Sequence, residues 1–211
     1  RTFSKRILLK EEIRIMNSNF IEAVASNVGF VMGFLGIVLV MFAVAYAFEK
    51  YANIKNGVKE RILSTRKVAV IGMFSAIAAV LFVLDFPLPF LAPTFYKLDF
   101  SELPALVAGF AFGPVAGVMI ECCKILIKLV IKGTSTALVG ELANFVVGCS
   151  FILPASFLYW LKKSKKSAIF SSIVGTVIMT VVGSWLNGLY LLPTFANMFG
   201  MPLLPDGTGK S

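Results

Sequence analysis

The sequence predicts an all-α, integral membrane helical bundle. Its 211 residues are 58% hydrophobic and only 15% charged, with a mean hydropathy of +0.87. A soluble domain is about 25% charged and 45–50% apolar. The apolar residues form long runs without a charge, and the cations sit just outside those runs. Barrel strands would instead alternate over roughly ten-residue segments. The net charge of +9 follows the positive-inside pattern of a membrane protein, so no nucleic-acid partner is expected.

The elements follow in order. Residues 1–27 are basic and mildly amphipathic, with Arg1, Lys5, Arg6, Lys10 and Arg14 against Glu11, Glu12 and Glu22. Val28 to Phe48 is a charge-free run long enough to span a bilayer. Residues 49–67 read as a basic linker. Val68 to Leu84 is a second, short span. Its small residues pair four apart as Gly72/Ala76 and Ser75/Ala79, so each pair shares a helix face and lets a second helix approach closely. That face serves either internal packing or docking of a partner membrane subunit.

Leu84 to Gly117 is the most unusual stretch. Pro87, Pro89 and Pro93 fix φ and bias their neighbours away from helix, which predicts a stiff, non-helical cover. It serves as a structured connector or as a lid over a binding site. Glu102 to Phe112 is an apolar helix too short to span, ended by Gly113-Pro114. Val115 to Ile131 follows as a fuller helix. Lys124, Lys128 and Lys132 are spaced by four along one stripe, and Glu121 lies three before Lys124, in reach of an ion pair. Ionisable groups at membrane depth face the interior or water, and Lys124 is the deepest. Residues 133–139 are a polar loop. Gly140 to Leu161 is a span with Glu141 and Asn144 near its start. Lys162, Lys163, Lys165 and Lys166 make a basic turn. Ala168 to Leu192 is the last span, with Trp185, Asn187 and Tyr190 near its end.

Charge sets the orientation. The linker at 49–67 and the turn at 162–166 are the basic segments, so they belong in the cytoplasm. The proline-rich loops at 85–100 and 193–211 then lie outside, above Glu141, Asn144, Asn187 and Tyr190. The sequence contains no histidine, which excludes histidine catalysis and histidine metal sites. Cys122, Cys123 and Cys149 lie in apolar runs without CxxC spacing, so they read as small apolar residues and no metal is expected. GTGKS at 207–211 lacks the first glycine of a P-loop. No nucleophile–base arrangement or carboxylate pair is evident in the spans, so an enzyme is not expected.

From Arg66 onward the chain resembles the substrate-binding S component of an energy-coupling factor (ECF) vitamin transporter, and most closely the riboflavin-specific type. The resemblance is carried by KVAVIGMFSAIAAVLFVL, FPLPFL, YKLDFSELPALVAGFAFGPVAG, GELANFVVG and LNGLYLLP. It implies a six-helix core that binds riboflavin near the outer face, without an ATPase site or cofactor of its own. It also implies a transmembrane coupling protein and two ATPase subunits as partners, in a multi-pass prokaryotic cell-membrane protein surrounded by lipid. Gly72, Ser75, Ala76 and Ala79 correspond to the family's docking motif for the coupling protein. Asn144 matches a flavin-contacting asparagine, and Leu98 with its neighbours corresponds to the loop that covers the ligand. The expected substrate contacts are Tyr96, Leu98, Asp99, Lys124, Glu141, Asn144, Asn187 and Tyr190.

The resemblance divides the chain into residues 1–65, with an extra transmembrane helix and a linker, and an S-component-like core at 66–211. That core shows five of the family's six helices. The extra span offers no polar group to a ligand and is not expected to stand in for the sixth. A different vitamin or a nucleobase, or a scaffold that binds no small molecule, are the other readings of the same chain.

Overall fold

The structure, a computed structural model, describes residues 28–57, 62–84, 86–87, 97–98, 100–133 and 138–191. Among the described residues there are six α-helices: α1 (Val28–Asn56), α2 (Thr65–Val83), α3 (Glu102–Phe112), α4 (Pro114–Lys132), α5 (Val139–Leu161) and α6 (Lys165–Leu186). A π-helical turn, Asn187–Leu191, continues α6. Between α2 and α3, β1 (Phe86–Pro87) pairs antiparallel with β2 (Lys97–Leu98), Phe86 opposite Leu98. The ends of the proline-rich stretch are therefore extended and tied together. Residues 88–96 lie outside the described residues.

Among the described residues, four stretches are long and apolar enough to cross a membrane: Val31–Asn56, Thr65–Val83, Val139–Leu161 and Lys165–Leu191. The chain is thus an all-helical, multi-pass membrane bundle. α4 matches α2 in length at 19 residues, yet it carries Glu121, Lys124 and Lys128. Those charges are tolerated because they pair inside the bundle. α3 has 11 residues, so at 1.5 Å per residue it reaches about 16 Å, half a bilayer core.

The local sequence explains the boundaries. Ser64 caps α2 by accepting a bond from Lys67 N at 3.3 Å. Ser164 does the same for α6 through Ser167 N at 3.1 Å. Gly113 has φ +111°, a conformation that suits glycine, and Pro114 starts α4 where a missing N–H does no harm. The expected break between α3 and α4 therefore sits where the Gly-Pro pair places it. α1, however, runs eight residues past Phe48, to Asn56. Hydropathy marks where lipid ends and says little about where a helix ends, so half of the expected linker at 49–67 is helical.

Two apolar clusters hold the bundle. Ile71, Ala78, Ala105, Ala108, Ala116, Ile120 and Ile152 join α2, α3, α4 and α5. Ala45, Phe82, Val115, Val118, Ile125, Phe145, Cys149 and Leu153 form the other, with Phe34, Val38 and Met41 of α1 packed against it. Lipid tails are as apolar as leucine, so close packing of small residues, rather than exclusion of water, drives such contacts. α1 is thereby part of the packed interior and lies on α4 and α5.

Candidate ligand-binding site

At the end of the bundle away from the basic segments, α1, α5 and the end of α6 line an open-sided cavity of about 500 Å³. α1 supplies Gly29, Gly33, Phe34 and Ile37. α5 supplies Leu142, Ala143 and Val146. Trp185, Leu186, Leu189 and Tyr190 close it from α6 and the π turn. The helical period explains the set: 29 and 33 share one face of α1, as do 185, 186, 189 and 190 at the end of α6. A Cβ at Gly29 or Gly33 would meet nothing within 4 Å, so the cavity owes part of its volume to two missing side chains. Phe34 meets Phe145 of α5 edge-on, with centroids 6.4 Å apart.

The cavity is a predominantly apolar slot, with an indole and a phenol at its wall. Its volume falls in the range of about 300–1,000 Å³ typical of small-molecule sites. Such a wall can hold a planar ring by packing and stacking, while the phenol offers an oriented polar contact.

The expected substrate contacts divide among three places. Tyr190 lines the cavity. Asn144 is exposed on the bundle surface, next in sequence to the wall residue Ala143. Asn187 sits in the π turn and donates through Nδ2 to Gly183 O at 2.9 Å.

Lys124 and Glu141 lie elsewhere, inside the ion pairs of α3, α4 and α5. Lys124 is fully buried. Its Nζ donates to Ser101 Oγ at 3.0 Å and to Glu102 Oε1 at 2.7 Å, and it pairs with Glu121 Oε2 at 2.8 Å. Those oxygens surround an ammonium that has three N–H groups to place. Lys124 therefore clamps the start of α3 to α4 and does not line the cavity. One turn along, Lys128 pairs with Glu141 Oε1 at 2.7 Å, joining α4 to α5, so Lys128 is held rather than left to reach for the interface. Phe82 lies under both lysines, 5.4 Å from Lys124 Nζ and 5.3 Å from Lys128 Nζ. A Cβ at Gly148 would run into the Glu121 carboxylate, so a glycine is what lets α5 approach this cluster.

Leu98 falls in the β1–β2 ladder. Tyr96 and Asp99 lie outside the described residues. The small-residue face of α2 splits in two: Ser75 and Ala79 are buried, whereas Gly72 and Ala76 are exposed beside Met73, Ile77 and Val80. Trp185, Phe34 and the two α1 glycines were not foreseen as site residues. Their signal was present: Gly29 and Gly33 are a GxxxG pair, the same small-residue spacing that stands out on α2.

The profile of the family described as the substrate-specific component of ECF transporters matches residues 66–205. The chain belongs to this family. The S component's relatives include the riboflavin transporter FmnP of Bacillus subtilis (strain 168), 38% identical over 71% of this chain and 78% of that protein. The riboflavin transporter RibU of Staphylococcus aureus (strain TCH60) is 41% identical over 68% of this chain and 74% of its own length. A solved structure described as the S component of a bacterial ECF transporter superposes with a TM-score of 0.56 at 43% identity, covering 65% of this S component and 78% of that chain.

Proposed function

We propose that this S component is the riboflavin-binding subunit of an ECF-type transporter, capturing the vitamin at the outer face for ATP-driven uptake. Its kinship with two riboflavin transporters carries this reading. The cavity supports it: riboflavin presents a neutral tricyclic ring that suits an apolar slot, and polar edges that need a few placed hydrogen bonds. We assign those bonds to Tyr190 at the wall and to Asn144, the sequence neighbour of the wall residue Ala143. Asn187, with Tyr96, Leu98 and Asp99 of the proline-rich loop, completes the contact set as that loop closes over the ligand. Lys124 and Glu141 serve the site indirectly, by holding α3, α4 and α5 in register around it.

The basic ends of α1, α2 and α5 face the cytoplasm on this reading, which puts the cavity at the outer surface. Gly72 and Ala76 form the docking face for the membrane-embedded coupling protein, whose two ATPase subunits supply the energy. Ser75 and Ala79 seat α2 against its own bundle. Residues 66–211 are the transport core, and residues 1–65 carry the additional helix.

The full chain purified in detergent tests the reading. It should bind riboflavin, read as quenching of flavin fluorescence. Asn144→Ala should weaken binding about tenfold, the worth of one lost hydrogen bond. A melting-temperature screen across vitamins and nucleobases separates this reading from another ligand, which would be the compound that stabilises the chain while riboflavin does not. A full chain that riboflavin neither stabilises nor binds sinks the assignment.

A further inference from the structure

We propose that α1, which lies outside the family's span at 66–205, is a working wall of the ligand cavity, seated in the bundle by Glu49. The proposal takes only the ligand's identity from the riboflavin reading; the seat of the helix stands apart from it.

Glu49 is fully buried. Its Oε1 lies 3.4 Å from Lys67 Nζ at the start of α2. Its Oε2 accepts a bond from Val115 N at 3.0 Å, at the start of α4. One carboxylate from the added helix thus satisfies a lysine and a helix N-terminus on two core helices, where the peptide dipoles favour an anion. Gly113 leaves the space this carboxylate fills, since a Cβ there would collide with it. Asn56, at the last turn of α1, donates to Trp160 O of α5 at 2.6 Å. Phe48 stacks on Phe157 of α5 with centroids 4.4 Å apart.

A helix that only tethers a protein to the bilayer has no use for a buried acid. A carboxylate taken out of water is costly unless it is paired, and here both partners belong to the transport core. With its basic end fixed in this way, the other end of α1 brings Gly29, Gly33, Phe34 and Ile37 to the cavity. The wall they form is specific to this chain's added helix. Its residues would tune which ring the slot accepts, independently of the core.

The full chain in detergent tests this in two arms. In the first, Gly33→Cys in a Cys122→Ala/Cys123→Ala background is labelled with a bimane fluorophore. If α1 is the wall, Trp185 across the cavity quenches the label, and Trp185→Phe relieves the quenching. Glu49→Gln should lower the melting temperature, and adding Lys67→Gln should recover part of the loss. In the second arm, Gly33→Leu fills the slot and should weaken riboflavin binding at least about tenfold. Leu39→Ala, on the exposed face of α1, should leave binding unchanged. An unquenched label overturns the proposal. So does a Gly33→Leu chain that binds riboflavin as tightly as the parent. A quenched label in a parent chain that binds no riboflavin upholds the seat of α1 and removes the riboflavin reading instead.

Discussion

The two sides of the bundle treat buried space in opposite ways. Where α2, α3 and α4 meet, Glu102, Glu121 and Lys124 are drawn together within 2.8 Å of one ammonium, and the space is filled. Where α1, α5 and the end of α6 meet, the wall is glycine, aliphatic and aromatic, and about 500 Å³ stays open. Paired charges pull helices together because separating them in a medium of low dielectric is costly. Glycines that meet nothing do the reverse and leave a gap that a ligand can fill. One side is drawn together by paired charges, and the other is left hollow by absent side chains.

The largest expected effect removes the counter-charge from the filled side. Lys124→Met leaves the buried Glu121 and the part-buried Glu102 without a cation, and should destabilise the bundle by about 3–5 kcal/mol. Thermal unfolding in detergent would read this loss, and Glu121→Gln added to Lys124→Met should restore part of it. A Lys124→Met chain as stable as the parent would remove the contrast between the two sides. Next, Ala79→Leu pushes a larger side chain into the α2 seam and should cost about 1–3 kcal/mol by the same measurement. Trp160 donates its indole N–H to Gly109 O at 3.1 Å and Phe110 O at 3.0 Å, near the end of the half-length helix. Trp160→Phe should therefore cost about 1 kcal/mol. Ala76→Leu, on the exposed face of the same helix as Ala79, should change stability by less than about 0.5 kcal/mol. Riboflavin binding should also hold, while uptake in cells falls because docking of the coupling protein is blocked. Equal losses from Ala76→Leu and Ala79→Leu would show that α2 has no outward docking face.

The filled side was largely readable from the sequence, because its key spacing is local. Glu121 and Lys124 are three apart on one helix, and the Gly113-Pro114 break is written in two adjacent residues. The third and fourth members, Ser101 and Glu102, needed the fold, since Lys124 lies 23 and 22 residues away from them. The hollow side was less readable. Its wall comes from the starts of α1 and α5 and the end of α6, and no local pattern says that these ends meet. Asn144 and Asn187 drew attention as polar groups in apolar runs, whereas a cavity defined by missing side chains leaves no polar mark. The small-residue face of α2 gave the right helix but not its division. Ser75 and Gly72 are three residues apart, about 60° around the axis, which is enough to put one inside and one outside.

The reach of Glu49 also bears on how the protein is made. Val115, which offers it a backbone N–H, lies 66 residues further along the chain. At synthesis rates of about 5–20 residues per second, Glu49 is made between about 3 and 13 s before that partner exists. For most of this interval the carboxylate has Lys67, 18 residues along the chain, but lacks its backbone donor, and water at the basic end of the helix can take that place. α1 should therefore enter the bilayer early and shallow, and settle to its final depth once α4 has begun and drawn Glu49 inward. The helix would thus enter the membrane before the helices that seat it, and find its place only after them.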